Sequence, residues 1–344
     1  MNAGIEKHVE TLWAAAMAGD QYAAIDAATA AIDAGVPMET LLMDVVAAVQ
    51  ARVGHEWAAN RITVAQEHTA TAINERVLDA LAHHPAMRQN RAPGRGRVAV
   101  ACIDGEWHAF PARLLSEVLR VNGWHVDYLG AQITTPHLVA HLHRTNPDAA
   151  ALSSSLAIRL PAAHAAITAC QAAGTPVLAG GAAFGHDGRY ARLLGADAWA
   201  PDARAAVDLL AAGPLPRRTA PGASGPPHLA GHEYTRLDRS APDLVRGVMD
   251  ELGRHVPEVA AYTERQLGQT AEDVAYIVDY LRASLYVEDP ELFSSFLEWM
   301  TGIHTARGIP ARVVLAAVDV LAGLLTGLPH ALATLARARD ALRA

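Results

Sequence analysis

Hydrophobic residues in the first 85 positions recur at the three- and four-residue spacing of amphipathic helices. The first apolar stripe ends at Gly19-Asp20, where the chain turns and Asp20 can cap the next helix. The helical segments run at about residues 5–17, 22–34, 38–59 and 63–82. Four helices with short connections predict a four-helix bundle over residues 1–88, and the polar, basic stretch 85–97 predicts a linker.

From residue 97 the pattern changes to short apolar runs that alternate with helical stretches. The strand-like runs lie at 97–103, 125–130, 149–154, 176–181 and 197–200. The helical stretches lie near 110–122, 135–144, 160–173, 188–194 and 202–212. Repeats of this kind predict a parallel, doubly wound sheet of the Rossmann or flavodoxin-like type, which forms an α/β domain at residues 96–213.

A second linker is predicted at residues 214–233, which are rich in proline and glycine. Residues 234–344 are again helical. Breaks are predicted near Val256-Pro257, Gln269-Thr270, Asp289-Pro290, Gly308-Ile309-Pro310 and Leu328-Pro329, which divide this segment into about six helices. The expected fold class is therefore α/β and all-α multidomain, with helical domains on both sides of the α/β domain.

Composition narrows the classes of partner. The net charge of −8 and the lack of a basic block argue against nucleic acid. Cys102 and Cys170 lack the spacing of a metal site and are expected to be buried in a reducing compartment. The first residues do not form a signal peptide, and the apolar run 313–328 is shorter than the ~20 residues of a membrane span. We therefore expect a cytoplasmic protein with no membrane partner.

The candidate chemistry begins in the stretch VAVACIDGEWHAFP at residues 98–111, where a buried strand turns into a helix. In open parallel sheets, ligands bind beyond the carboxyl ends of the strands, where this stretch places Asp104, Glu106, Trp107 and His108. A histidine beside a carboxylate can bind a metal through one ring nitrogen while the acid orients the other, and either acid could do so here. The plainer alternative is that His108 caps the following helix or is solvated.

Two further motifs follow at the ends of the third and fourth predicted strands. A serine triplet occupies 153–155, separated by 41 residues from Pro111, and a glycine pair occupies 180–181. Together with Glu-Trp-His at 106–108, this order and spacing resembles corrinoid-binding domains. That family carries acidic-x-His-x-x-Gly, Ser-x-Ser/Thr and Gly-Gly after the same strands, although Pro111 stands here where the family has glycine.

The resemblance implies a cobalamin bound in its base-off form, with His108 as the lower ligand of cobalt. The displaced nucleotide tail of the cofactor then needs room and hydrogen-bond donors near the sheet. The residues implied to surround this tail are Ser153, Ser155, Gly180 and Gly181.

A second resemblance concerns the predicted bundle. Trp57, Val64 and Glu67 match the cap over the corrinoid in light-sensing cobalamin proteins of the CarH type, which implies that they contact the adenosyl group of adenosylcobalamin. The alternative is that Trp57 and Val64 are core residues and Glu67 a surface charge. Ala58 stands where that family has a histidine able to ligate cobalt after photolysis, so water or another group such as His68 would have to serve.

The order of a corrinoid domain, a linker and a helical domain resembles photocobilins, which also hold a bilin in a globin-like domain. The resemblance implies bound biliverdin in residues 234–344, without a thioether link because this segment has no cysteine. The candidate bilin-lining residues are Tyr276, Tyr280, Arg282, Trp299 and His304. The alternative is that these aromatic residues are ordinary core and the arginine is solvated.

The expected function is therefore that of a photoreceptor without enzyme activity. Light cleaves the cobalt–carbon bond and changes the domain arrangement or the oligomeric state, expected to be a dimer or tetramer, and an unknown partner reads the change. The main alternative is a corrinoid methyl carrier that serves methyltransferases. A third possibility is an interaction module without cofactor, which a His108→Ala substitution would separate because corrinoid uptake depends on this residue only in the first two cases.

Overall fold

The computed structural model describes residues 3–89, 94–216 and 232–343. The chain divides into two compact units, Met1–Pro221 and Gly222–Ala344. The first unit contains both the N-terminal helices and the α/β layer. The second unit is entirely helical within its described residues.

The N-terminal helices begin and end where the side chains dictate. They are α1 (Ala3–Met17), α2 (Gln21–Asp33), α3 (residues 38–58, π-helical over Leu41–Val46), α4 (Val64–His83) and the short α5 (Pro85–Gln89). Asp20 caps α2 by accepting hydrogen bonds from the backbone N–H groups of Tyr22 and Ala23. Thr63 and Gln66 form a capping box at the start of α4. The helix α5 lies in the segment that was predicted as a linker.

The parallel sheet predicted from residue 97 onward is confirmed. Its strands are β1 (Arg97–Cys102), β2 (His125–Gly130), β3 (Ala149–Ser153), β4 (Val177–Gly180) and β5 (Ala198–Ala200), in the order β2-β1-β3-β4-β5. The helices between and after them are α6 (Phe110–Val121), α7 (Thr135–Thr145), α8 (Leu160–Ala172), α9 (Arg189–Leu193) and α10 (Ala203–Ala211). The strand order reverses between β1 and β3, which makes the crevice beyond these two strands the expected ligand site.

The central strands explain why the α/β layer needs helices on both faces. Every residue of β3 is buried, and so is β1 after Arg97, as expected for parallel strands covered on both sides. The N-terminal helices share a hydrophobic core with one face of this sheet. Ion pairs cross the same boundary, from Arg113 to Asp79 at 2.5 Å and from Arg204 to Asp44 at 2.7 Å. The N-terminal helices therefore pack on the α/β layer as part of one unit.

The second unit contains α11 (Glu233–His255), α12 (Glu264–Tyr286), α13 (Pro290–Ala306), α14 (Ala311–Leu324) and α15 (Pro329–Arg343), with a 3₁₀ turn at Pro257–Ala261. Over residues 232–343 this makes five α-helices instead of about six. The predicted break at Gln269-Thr270 is wrong, because α12 begins with a capping box of Thr263 and Gln266 and continues through it. Thr270 Oγ1 donates to Gln266 O at 2.8 Å, inside the helix.

Across the described ranges of both units, no helix combines the length and the apolar character required to cross a membrane.

Candidate functional site

The loop between β1 and α6 lies at the reversal of the strand order. Its start is tied to the neighbouring strand because Ile103 N donates to Ser153 O at 3.0 Å. The chain then turns tightly, with Glu106 N donating to Ile103 O at 2.8 Å and Gly105 at a φ of +78°. This left-handed conformation favours glycine. The turn directs the side chain of Glu106 into the protein.

Glu106 is the centre of this loop. Its carboxylate is fully buried and accepts six hydrogen bonds. Oε1 accepts from Trp107 N at 3.0 Å, His108 N at 2.9 Å and His108 Nδ1 at 2.6 Å. Oε2 accepts from Ser154 Oγ at 3.1 Å, Ser155 N at 2.8 Å and Leu156 N at 3.2 Å. One carboxylate therefore joins the loop after β1 to the loop after β3.

These hydrogen bonds decide the charge of Glu106. Burial raises the pKa of the carboxyl group, but the hydrogen bonds from His108 and Ser155 outweigh it and lower the pKa to about 2. The group is therefore ionised at neutral pH, and it can act only as an acceptor.

His108 is held in one orientation by this acceptor. Because Glu106 cannot donate, Nδ1 carries the proton and Nε2 has the free lone pair of the neutral ring. Nε2 makes no hydrogen bond with any residue in the described ranges, and the side chain is 31% exposed. The ring stacks on Trp107 with centroids 3.8 Å apart. A fixed imidazole with an outward lone pair is the arrangement that a metal-binding histidine requires.

The structure also resolves the choice between the two acids. Asp104 is partly exposed and makes no hydrogen bond or ion pair within the described residues, whereas Glu106 holds the ring. Glu106 is therefore the acid that orients His108.

The serine and glycine motifs contribute differently from what the sequence indicated. Ser153 is buried at the end of β3, between Cys102 and Gly180. Ser155 contributes its backbone N–H to Glu106, while the hydroxyl that reaches Glu106 belongs to Ser154. Ser154 could not be predicted from the motif, because the family pattern specifies only the outer two positions of the triplet.

Gly181 is required by a close approach of two loops. It has a φ of +100°, and a Cβ placed on it would lie 2.2 Å from Ser154 O. A Cβ on Gly180 would lie 3.3 Å from Ala200 O, which is a much milder contact. The glycine pair therefore allows the loop after β4 to pack against the loop that binds Glu106.

The predicted cap residues lie around the junction of α3 and α4. Trp57 is partly buried near the end of α3, while Val64 and His68 are exposed on α4, so Val64 is not a core residue. Glu67 is held at both carboxylate oxygens. Oε1 accepts from Thr71 Oγ1 at 2.9 Å, and Oε2 lies 2.5 Å from His68 Nδ1.

A polar chain that the sequence did not reveal runs from Glu67 into the interior. Asn74 is fully buried, and its Nδ2 donates to Gln50 Oε1 at 2.8 Å. Gln50 Nε2 donates to Thr71 Oγ1 at 2.8 Å, and Thr71 donates in turn to Glu67. This chain links α3 to α4 and fixes the carboxylate of Glu67. Helical periodicity gives no signal for it, because Gln50 lies more than 20 residues from its partners.

The residues predicted to line a bilin do not converge on one slot. Tyr276 and Trp299 are exposed, and Tyr280 stacks on Phe296 with centroids 3.7 Å apart. Arg282, predicted to line the bilin, forms ion pairs with two acids of its own unit, Asp238 and Asp279. The guanidinium charge is therefore already balanced.

His304 borders a cavity of the second unit. Its Nδ1 lies 2.8 Å from Met300 O and its Nε2 lies 2.9 Å from Asp273 Oδ2. The cavity beside it has a volume of about 100 Å³, and Tyr276, Tyr280, Arg282 and Trp299 do not line it. Pockets for ligands of drug size measure roughly 300–1,000 Å³, so this cavity does not fit a linear tetrapyrrole.

Comparisons with known proteins agree with the geometry of the first unit. Residues 96–210 match a family model described as a B12 binding domain, and residues 9–82 match a second model of the same description. No curated protein matches the chain. These two matches support a cobalamin-binding protein and leave the second unit without an assignment.

One solved structure of a corrinoid protein supports the fold, and two others show weaker likeness. The monomethylamine corrinoid protein of Methanosarcina barkeri matches with a TM-score of 0.52 and 18% identity, over 60% of this chain and 99% of that chain. The methanol:cobalamin methyltransferase complex of the same organism gives a TM-score of 0.32 and 17% identity, over 60% of this chain and 79% of that chain. A cobalamin-binding protein from Desulfitobacterium hafniense DCB-2 gives a TM-score of 0.34 and 17% identity, over 59% of this chain and 97% of that chain. Only the first of these likenesses is close enough to support the fold.

Proposed function

Since residues 9–82 and 96–210 match B12-binding domains, we propose that the first unit binds a corrinoid in its base-off form, with Nε2 of His108 as the lower ligand of cobalt. The observation that carries this proposal is the hydrogen bond of Glu106 to His108 Nδ1, which directs the free Nε2 outward. The donors and close loops of residues 153–156 and Gly181 support it, because they hold this carboxylate in place. A bound corrinoid would supply a cobalt atom able to carry an alkyl group.

Glu106 also affects how strongly His108 binds a metal. While Nε2 binds a metal, Nδ1–H donates to Glu106, which strengthens the imidazole as a ligand.

Within this proposal, the role that the comparisons favour is carriage of a methyl group for methyltransferases. The support is the fold likeness to a corrinoid protein named for monomethylamine, which this chain matches over 99% of that protein's length. In this role the protein binds its cofactor and presents it to partner enzymes, and does not itself catalyse the transfer.

Light sensing is the second candidate, and two observations favour it. Val64 is exposed and Glu67 is held by hydrogen bonds beside it, so α4 can present an apolar surface and a carboxylate to an adenosyl group. The second unit also lies outside both family matches, and a methyl carrier gives it no function. In this case loss of the adenosyl group on illumination would release Trp57 and Glu67 and change the oligomeric state. Biliverdin in the second unit belongs to this candidate only, and the cavity of about 100 Å³ beside His304 is too small to hold it in the described structure.

The test is an absorption and size measurement on the purified chain. The protein is incubated with adenosylcobalamin, methylcobalamin or biliverdin, and spectra and elution volumes are recorded in the dark and after green light. We expect a base-off, histidine-ligated cobalamin spectrum that His108→Ala abolishes and His125→Ala, at an exposed histidine, retains. Cobalamin that stays base-on or fails to bind contradicts the proposal.

The same samples separate the two roles. A change of elution volume with light, or a bilin band that remains with the protein, supports the sensor. Transfer of the methyl group from the methyl-loaded protein to an added thiol, which becomes a methyl thioether, by a thiol methyltransferase supports the carrier, provided that light causes no change of size.

A further inference from the structure

Arg159 lies against the loop that carries His108. It ends the 3₁₀ turn Ala157–Arg159, which connects β3 to α8. Its guanidinium rests on Gly105, because a Cβ placed on that glycine would lie 2.8 Å from Nη1 and 3.1 Å from Cζ of Arg159. The turn begins directly after Leu156, whose N–H bonds Glu106. The arginine therefore borders both loops that build the His108 site.

The guanidinium of Arg159 is not neutralised by the protein. Over the described ranges, its side chain forms no hydrogen bond and no ion pair, and its Nε is buried without an acceptor. Asp104, although adjacent to Gly105, does not pair with it. Arg113 and Arg204, in contrast, each have a carboxylate partner within 3 Å. Buried donors in native proteins nearly always have an acceptor, so this arginine points to one that a ligand supplies.

We propose that Arg159 binds the phosphodiester in the nucleotide tail of the corrinoid. This inference rests on the proposed corrinoid site. The side chains of the corrin ring in cobalamin end in neutral amides, and the phosphodiester is the anionic group of its tail. In the base-off form the tail leaves the lower face of cobalt, where His108 takes its place. The tail must then pass the loops beyond the strands, where Arg159 lies.

The chemistry of the arginine suits this partner. The planar guanidinium presents paired donors that match two phosphate oxygens, which an ammonium group cannot do. Asp104 and Glu106 bring two carboxylates to the same loop, so an anionic tail needs a nearby cation to approach it. Gly105 makes room for that cation, because any side chain at this position would displace the guanidinium.

The test compares two corrinoids that differ in the tail. Hydroxocobalamin contains the phosphodiester and the nucleotide, whereas aquacobinamide lacks both. Dissociation constants are measured by absorption titration for the full chain and for Arg159→Ala, Arg159→Lys and Arg159→Gln. Arg144→Ala serves as a control, since this exposed arginine lies in the last turn of α7, at the amino end of the sheet. Thermal unfolding of each variant verifies that it is folded.

We expect Arg159→Ala to weaken hydroxocobalamin roughly ten- to a hundredfold, the range for losing a hydrogen bond to a charged group, and to leave aquacobinamide within about twofold. Arg159→Lys should lie between the wild type and Arg159→Ala, and Arg159→Gln should resemble Arg159→Ala. The effect should shrink as salt screens the charge.

An equal loss for both corrinoids, or no loss for either, overturns the assignment to the phosphodiester. These outcomes leave the site itself intact, which a base-off spectrum that depends on His108 would show. If the wild-type chain binds neither corrinoid, the proposed function fails together with this inference.

Discussion

His108 in the first unit and His304 in the second are both paired with a carboxylate, but only one of them can bind a metal. His108 Nδ1 lies 2.6 Å from Glu106, and its Nε2 makes no hydrogen bond with a residue in the described ranges. His304 uses both nitrogens, Nε2 with Asp273 and Nδ1 with Met300 O, and its side chain is only 11% exposed. A carboxylate beside a histidine therefore indicates a ligand only when the second nitrogen is exposed and has no acceptor of its own.

The hydrogen-bond partners of His304 also determine its charge. Met300 O and the carboxylate of Asp273 both accept, so the arrangement of His304 favours a ring protonated at both nitrogens. The hydrogen bond to Asp273 raises the pKa of His304, against the opposing effect of burial. A protonated imidazole has no lone pair for a metal. His304 is therefore best explained as a structural residue whose hydrogen bond to Asp273 links α13 to α12.

The largest expected effect tests the acid in each pair. Glu106→Gln replaces a buried acceptor of six hydrogen bonds with an amide that donates at one end, which should lower the free energy of unfolding by about 3 kcal/mol. Corrinoid affinity should fall roughly 10–100-fold, as for other groups that orient a metal ligand. Chemical denaturation followed by circular dichroism and a cobalamin titration measure the two effects.

The matched substitution in the second unit is Asp273→Asn. Because Asp273 is partly exposed, we expect a loss of only about 1 kcal/mol, with cobalamin affinity unchanged. A variant of Asp273 that weakened cobalamin as strongly as Glu106→Gln would end the distinction between the two histidines.

Much of the His108 site could be predicted because its parts are close in sequence or recur at strand ends. Glu106 and His108 are two residues apart, and the strand pattern alone places both at the ligand edge of a parallel sheet. The choice of Ser154 over Ser155 as the hydroxyl donor could not be predicted, since it depends on how a loop 48 residues away folds over Glu106. Arg159 was missed for the same reason, because its contact with Gly105 forms only when the two loops fold together.

The second unit shows the opposite case. Tyr276 and Tyr280 share a helical face by spacing, but spacing does not tell a buried face from an exposed one. Arg282 was expected to be available to a ligand, yet it pairs with Asp238, which lies 44 residues away. Residue types suited to a ligand therefore carry little weight without a motif that fixes their order and spacing.

The next largest effect tests why the loops around His108 stay in place. Gly181→Ala would put a Cβ 2.2 Å from Ser154 O at a φ of +100°, and should cost about 3 kcal/mol from strain and overlap together. Gly195→Ala has a φ of +79° with no atom within 4 Å of the added Cβ, so it should cost only about 1 kcal/mol. Denaturation midpoints and slopes of the two variants measure the difference. Equal losses would show that the backbone angle, and not the contact with Ser154, makes Gly181 necessary.

The two carboxylate–histidine pairs should also respond to pH in opposite directions. The pKa of Glu106 is lowered to about 2 on folding, so its contribution is present above the ordinary value of 4.5 and is lost as the pH falls toward 2. The pKa of His304 is raised above 6.5, so its contribution is complete below 6.5 and is lost as the pH rises through the folded value. Thermal unfolding from pH 3 to 9 measures the loss of stability at both ends of this range. His304→Gln should reduce the loss at alkaline pH and leave the loss at acidic pH unchanged. If the alkaline loss persists in this variant, a group other than His304 causes it.

The smallest expected effect extends the comparison to the third carboxylate, Glu67. Thr71→Val keeps the shape of the side chain but removes the hydroxyl that donates to Glu67 and accepts from Gln50. We expect a loss of about 1 kcal/mol in the free energy of unfolding, because the amide of Gln50 loses its acceptor. If Glu67 meets an adenosyl group, adenosylcobalamin should weaken a few-fold while methylcobalamin is unaffected.

Thr69→Val is the control, because among the described residues the hydroxyl of Thr69 donates to Ala65 O in its own helix, at 2.8 Å, and to no other group. Affinities for the two cobalamins are measured in the dark for both variants. If Thr71→Val weakens both cobalamins equally, the polar chain supports the helices without orienting Glu67 toward an upper ligand, and the methyl-carrier role gains weight. A selective loss for adenosylcobalamin would instead show that Glu67 is held ready for a nucleoside, which a methyl carrier does not need.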